Sequence, residues 1–240
     1  MGAEREDADV ETSSEGYARR FSGPVGAWFL EVQTRATLEL LRPWPAATLL
    51  DVGGGHGQVT GPLVEAGHDV TVYGSADVCR ERVREWVDRG RARFASGDLL
   101  KLPFPDGSFD VALSYRLLSH VTRWKALVGE LARVARRAVV VDYPTSRSLN
   151  AFSGPFFGVK KGVEGNTRRF AVFRDAELLR AFAEAGVRPT ARRPQFFFPM
   201  ALHRAVGVVG VARGLEKTAA ALGLTRALGS PVILRLEPRG

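Results

Sequence analysis

The sequence predicts an α/β protein built on a doubly wound, mostly parallel sheet with helices on both faces. Three observations predict it. Between residues 48 and 142 short apolar runs alternate with segments of helical period, the rhythm of a parallel sheet covered by crossover helices. The first apolar run leads directly into a glycine-rich turn, Asp51-Val52-Gly53-Gly54-Gly55-His56-Gly57. Neither a repeat nor a second apolar core interrupts the 240 residues, a length one large domain can reach.

Residues 1–16 carry Glu4, Glu6, Asp7, Asp9, Glu11 and Glu15 among Ser, Gly and Ala, a composition too polar to fold alone. They are expected to be a disordered acidic tail ahead of a single domain spanning 17–240. Residues 17–45 read as a helical lid, with Phe21, Val25, Phe29, Val32, Ala36 and Leu40 at helical spacing, Gly23-Pro24 as a break, and Pro43 and Pro45 closing it. Tyr17, Phe21 and Trp28 are its candidate pocket-covering side chains, and ordinary helix packing explains them equally well. The run 48–52 has the apolar character of a buried parallel strand. After the turn come a helix 57–66, a strand 69–73, a helix 78–89 and a short strand 93–95. Turn-rich residues 103–108 precede a strand 109–114, a helix 124–135 and an apolar strand 138–142. Residues 144–174, rich in Gly, Ser and Phe, read as an insertion. A helix 175–185, a strand 192–198, a helical insertion 199–230 and a last strand 232–236 complete the chain.

Composition excludes several classes. With 45% hydrophobic and 25% charged residues the chain is neither fibrous nor disordered. The stretch 205–212, bounded by Arg204 and Arg213, is far short of the roughly 20 apolar residues a bilayer requires. A single cysteine, Cys79, permits no internal disulfide and no cysteine-based zinc site, which fits a reducing cytoplasm. Residues 151–240 hold 15 Lys/Arg against 6 Asp/Glu, a net +9, while residues 1–150 are nearly balanced at 19 against 20. Such an asymmetry suits an acidic partner, and the predominance of Arg over Lys is also what codon bias produces.

The turn carries the chemistry. Glycines at 53, 55 and 57 let the backbone bend tightly and approach a ligand closely. A dinucleotide fingerprint, G-x-G-x-x-G, fails because the sixth position from Gly53 is Gln58, and no Gly-Lys-Ser/Thr makes a phosphate loop. Asp51, at the strand's carboxyl end, is placed to hold backbone amides and to lie near a cationic ligand group. Beyond the fourth strand, Tyr115 and Arg116 reach the crevice where open α/β sheets bind ligands.

These residues resemble the class I S-adenosylmethionine-dependent methyltransferases, Rossmann-like enzymes, and within them the branch of ubiquinone and menaquinone C-methyltransferases. The likeness runs from about residue 48 to residue 142. It implies that Asp51, Gly53, Gly54, Gly55 and Gly57 wrap the methionine half of S-adenosylmethionine, and that Asp98 in Gly97-Asp98-Leu99 accepts from the adenine amino group. Leu102-Pro103-Phe104, Phe109-Asp110-Val111 and His120-Val121 are equally typical. One position departs: the acid that ends the second strand and holds the ribose hydroxyls falls at Gly74. Ser75 and Asp77 are the nearby substitutes, Asp77 being also a natural helix N-cap. Tyr115 is expected to line the cofactor pocket, and His120 is the one catalytic candidate, as a general base or substrate ligand.

The expected function is methyl transfer to a small, largely apolar acceptor that can carry a negative group. Phe152, Phe156 and Phe157 would wall its site beside Lys160 and Lys161; on base rates these aromatics and Phe196-Phe197-Phe198 are mostly core. No continuous basic stripe or added module points to RNA. Two alternatives stay open: a cofactor-binding protein without turnover, which Gly74 favours, and a nicotinamide-dependent oxidoreductase, which the glycine spacing disfavours.

Overall fold

The computed structural model describes residues 6–149 and 170–239. Phe152, Phe156, Phe157, Lys160, Lys161, Arg168 and Arg169 lie outside the described residues. Seven strands form one sheet in the order β3-β2-β1-β4-β5-β7-β6: β1 (Thr48–Val52), β2 (Asp69–Gly74), β3 (Ala92–Ser96), β4 (Phe109–Ser114), β5 (Ala135–Tyr143), β6 (Val187–Pro194) and β7 (Val232–Pro238). β1 to β5 pair in parallel; β7 runs antiparallel between β5 and β6. The doubly wound sheet that the alternation predicts is what folds.

Alternating residues of each strand serve two cores, as the period of two requires. Leu50, Val52, Ala112, Val139 and Val141 face α6 (Trp124–Val134) and α7 (Asp175–Glu184), where Leu127, Leu131, Leu178 and Phe182 complete one cluster. Leu49, Val70, Val72, Leu113 and Val140 face α3 (Gly23–Leu41) and α4 (Thr60–Glu65), with Leu40, Leu41, Leu63 and Val64. A strand buried on both faces has no polar side to alternate with, which is why 48–52 and 138–142 read as unbroken apolar runs.

Gly23-Pro24 begins α3 instead of breaking a helix, since Gly23 takes φ +70° and Pro sits in the first turn where no intrahelical N–H is needed. β6 begins at Val187, ahead of the expected 192. It is an edge strand whose residues are largely exposed, so its sequence lacks the apolar signal of the inner strands. After it come α8 (Met200–Val206), α9 (Val209–Ala221) and α10 (Leu224–Leu228). There Phe196 and Ala212 pack on Val25, Trp28 and Phe29 of α3 in a third cluster. The Glu216 carboxylate secures the junction, accepting from the N–H groups of Phe197 and Phe198, each at 2.9 Å. Among the described residues no helix is long and apolar enough to cross a membrane.

The largest departure from the sequence reading is at the N-terminus. The expected disordered tail is folded from residue 6 onward: α1 (Ala8–Thr12) and α2 (Glu15–Ala18) lie against the body, and Ala8, Asp9, Thr12 and Ser13 are buried. Its polarity misleads because Asp9 and Glu15 bond to Ser75 and Arg82, over 60 residues away in sequence.

Candidate functional site

The glycine turn follows β1 at the carboxyl edge of the parallel strands. Gly53 has φ +75°, a conformation that L side chains rarely adopt, and its N–H donates to the Tyr73 carbonyl at 2.8 Å. At Gly54 the constraint is space, because a Cβ there would lie 2.0 Å from Oδ2 of Asp51. Asp51 itself is fully buried, and neither carboxylate oxygen has a hydrogen-bond partner among the described residues. Burial raises its pKa to about 7. A buried carboxylate without partners is costly, so a cationic, hydrogen-bond-donating group is what this site accommodates best. His56, later in the turn, is also buried and its Nδ1 accepts the Gln58 N–H at 3.1 Å. Burial, followed by the charge of Arg116, lowers its pKa to about 4, so the imidazole is neutral at physiological pH.

Gly55 packs on protein, not only on an open ligand path: a Cβ there would meet Ser13 Oγ at 2.5 Å and the Cys79 carbonyl at 2.6 Å. Gly57, at φ +70°, ends the turn against the Arg82 carbonyl. At the end of β2, Gly74 faces Cys79, whose Cβ would be 2.8 Å from an added Cβ. The Ser75 N–H donates to Oδ2 of Asp9 at 2.7 Å. Asp77 is exposed and accepts from Ser96 Oγ at 2.5 Å; the N-cap position of the following 3-10 helix belongs to Ala76.

Asp98 is exposed after β3, and its Oδ1 accepts the Leu100 N–H at 2.9 Å, which shapes the turn. Leu99 is fully buried in the core. Tyr115 is fully buried. Its hydroxyl shares a 2.6 Å hydrogen bond with Thr37 Oγ1 of α3, in the cluster on the opposite face of the sheet from Leu99. Tyr115 thus joins the end of β4 to α3.

A second element of the site is a cavity of about 430 Å³ lined by Tyr17, Arg116, Ser119, His120, Phe170 and Met200 among others. The segment after β4 joins it to the glycine turn. Leu117 is so close to Gly53 that a Cβ there would lie 2.6 Å from it, while its neighbours Arg116, Ser119 and His120 face the cavity. The His120 ring is half-buried and meets Phe170 edge-on, with centroids 5.5 Å apart. Arg116 is held at φ +57° by its N–H, which donates to Oδ1 of Asp142 at 2.6 Å, and its Nε lies 3.3 Å from the other carboxylate oxygen. Burial raises the pKa of Asp142 and the Arg116 charge opposes that rise. Tyr17 contributes to the cavity wall, Phe21 lies under the Arg116 guanidinium at 5.5 Å, and Trp28 belongs to the third core cluster.

Sequence reasoning missed two members of this arrangement. Asp142 is next to last in β5, which neighbours β4 in the sheet, so its pairing with Arg116 two residues past β4 follows once the strand order is known. Asp9 carried no local signal at all.

Residues 50–141 match the family model of the methyltransferase domain. A demethylmenaquinone methyltransferase from Beutenbergia cavernae is 36% identical over 115 residues, 46% of this chain and 47% of that protein. The 27-O-demethylrifamycin SV methyltransferase of Amycolatopsis mediterranei is 31% identical over 176 residues, 66% of this chain and 61% of its own length. The chain thus spans less than two thirds of these relatives. Among solved structures, the magnesium protoporphyrin IX methyltransferase of Synechocystis, with bound S-adenosylhomocysteine, superposes with a TM-score of 0.68 at 14% identity, covering 97% of this chain and 98% of that one. The sheet order and the glycine turn define a Rossmann-like α/β domain. Over residues 50–141 the chain matches the methyltransferase domain, and its fold is the one shared by S-adenosylmethionine-dependent methyltransferases of solved structure.

Proposed function

We propose that this chain binds S-adenosylmethionine at the glycine turn and transfers its methyl group to a small, largely apolar, anionic acceptor held in the cavity beside His120. The observation that carries the reading is Asp51, a buried carboxylate without hydrogen-bond partners among the described residues, under a turn that only glycine can make, one short segment away from that cavity. The cofactor supplies an electrophilic methyl on a sulfonium, so the protein's part is binding, orientation and exclusion of water. Asp51 and the amides of residues 53–57 would hold its methionine half, and the turn at Asp98-Leu99 its adenine.

The cavity walls Phe170, Val172, Pro144, Pro231 and Met200 exclude water, and His120 is placed to take a proton from an acceptor hydroxyl or nitrogen. An anionic acceptor is supported by the guanidiniums near Tyr17: burial, Arg20 and Arg116 all lower the pKa of Arg204, so a negative group among them would relieve repulsion. The names of the relatives point the same way on size, since demethylmenaquinone and a rifamycin are small molecules.

Titration calorimetry tests the cofactor assignment. S-adenosylhomocysteine is expected to bind and NAD to give no heat, and the reverse result would make the chain a nicotinamide-dependent protein. A cofactor binder without turnover is the second reading, favoured by Gly74. Transfer of labelled methyl from the cofactor into a component of a cell extract would dismiss it.

The acceptor site is tested separately. His120→Ala is expected to lower methyl transfer by about a hundredfold or more where the acceptor loses a proton, with S-adenosylhomocysteine affinity unchanged. Ser119→Phe, which fills the cavity, is expected to block transfer with the same unchanged affinity. Wild-type turnover in both variants would place the acceptor elsewhere.

A further inference from the structure

The ribose of the cofactor proposed above presents two vicinal hydroxyls, and β2 ends in Gly74 with no carboxylate to receive them. The space beyond Gly74 nevertheless contains one. Asp9, from α1, is fully buried, and its Oδ2 lies 3.4 Å from where a Cβ of residue 74 would stand, about where a longer acidic side chain on Gly74 would bring its own oxygens. That oxygen accepts the Ser75 N–H at 2.7 Å and the Cys79 thiol at 3.4 Å. The other oxygen, Oδ1, is buried with no hydrogen-bond partner among the described residues. One half of the carboxylate is therefore anchored to the strand end and the other half awaits a donor.

We propose that Asp9 is the carboxylate that receives the ribose hydroxyls, supplied by the N-terminal helix in place of the acid absent from β2. The sequence offers Ser75 and Asp77 for this task. Ser75 uses its N–H to hold Asp9, and Asp77 is exposed and engaged with Ser96. The placement of α1 is consistent with a shared role in binding: Ala8 packs into the core with Val52, Tyr73 and Leu99, and Ser13 reaches Gly55 of the turn. Burial raises the pKa of the Cys79 thiol to about 11, so it remains a protonated donor to Asp9. Gly74 is then required for a reason other than chain flexibility, since a side chain there would strike Cys79 and crowd Asp9.

The proposal rests on the cofactor reading, and the experiment separates the two. S-adenosylhomocysteine and its 2′-deoxy and 3′-deoxy ribose analogues are titrated calorimetrically into the wild-type chain, Asp9→Asn and Asp9→Ala, with the fold of each checked by circular dichroism. The expected result is a loss of about ten- to hundredfold in affinity on either substitution. Wild type is expected to prefer the intact ribose over the deoxy analogues, and Asp9→Asn to lose most of that preference, a coupling that a merely structural role does not produce. Gly74→Asp is expected to weaken binding in the wild-type background, against the simple idea that restoring the acid helps. Unchanged affinity in both Asp9 variants, or tighter binding in Asp9→Ala, would mean that α1 is a plug displaced by the cofactor and would overturn the proposal. Absence of binding to the wild-type chain and to Asp9→Ala alike would overturn the cofactor reading and this proposal with it. The wild-type preference for the intact ribose needs no variant, so its absence counts against Asp9 even if a substitution fails to fold.

Discussion

Asp51→Asn is expected to make the protein more stable at pH 8 and to cost it about ten- to hundredfold in affinity for S-adenosylhomocysteine. The two effects have one origin. The folded pKa of Asp51 is about 7 against an ordinary value of 3.8, a rise caused by burial. Below 3.8 both states bind the proton and this group costs nothing. As pH rises from 3.8 to 7 the unfolded chain ionises while the folded one resists, so stability falls by roughly 4 kcal/mol and then levels off. Asn removes that loss, and with it the charge that a cationic ligand group would neutralise. His56 works in the opposite direction, since its pKa drops from 6.5 to about 4 and its contribution is gained as pH rises through that window. In wild type the two titrations largely cancel between about pH 4 and 6.5. In Asp51→Asn the His56 gain stands alone, and stability measured by urea unfolding is expected to rise over that window by roughly 3 kcal/mol. A variant less stable than wild type at pH 8 would show that Asp51 has partners in solution.

Arg116→Met is expected to destabilise the protein by about 3–5 kcal/mol, because it leaves the Asp142 carboxylate buried without its countercharge. The Asp142 side chain is 4% exposed and that of Arg116 13%, so solvent screens this pair far less than the arginine pairs at the surface. The guanidinium also donates to Oε1 of Gln33 at 2.8 Å, tying the segment after β4 to α3. The double variant Arg116→Met with Asp142→Asn is expected to recover most of the loss, since it removes the stranded charge. With its partner gone, Asp142 would hold its proton to higher pH, so the single variant is expected to approach wild type in acid. Urea unfolding of the four proteins at pH 5 and 8 measures the cycle. A single-variant cost below about 1 kcal/mol at pH 8 would class the pair with ordinary surface ion pairs.

Much of the site was legible in sequence because it is local. Five glycine-turn residues and the strand before them are contiguous, and their spacing specifies a tight turn at the end of a buried strand whatever surrounds it. The position of Asp98 and Leu99 in a turn after β3 was readable for the same reason, as was that of His120 past β4. For Tyr115 a strand-end position does not tell which face the side chain takes, so its hydrogen bond to the Thr37 hydroxyl of α3 was not readable. Composition misled at the N-terminus, where polar residues that cannot form a core of their own bond to the body of the domain.

The sequence by itself determined the doubly wound sheet, the glycine turn with its buried acid, and the absence of an acid at residue 74, since each follows from spacing along a short stretch of chain. Only the tertiary structure decided what lies opposite them. It brought Asp9 to the end of β2, paired Arg116 with Asp142 across neighbouring strands, and set His120 in one cavity wall with Met200 and Pro231. Such contacts join residues dozens to more than a hundred positions apart, and their partners are chosen by how the sheet and helices pack, a relation that no local pattern of residues encodes.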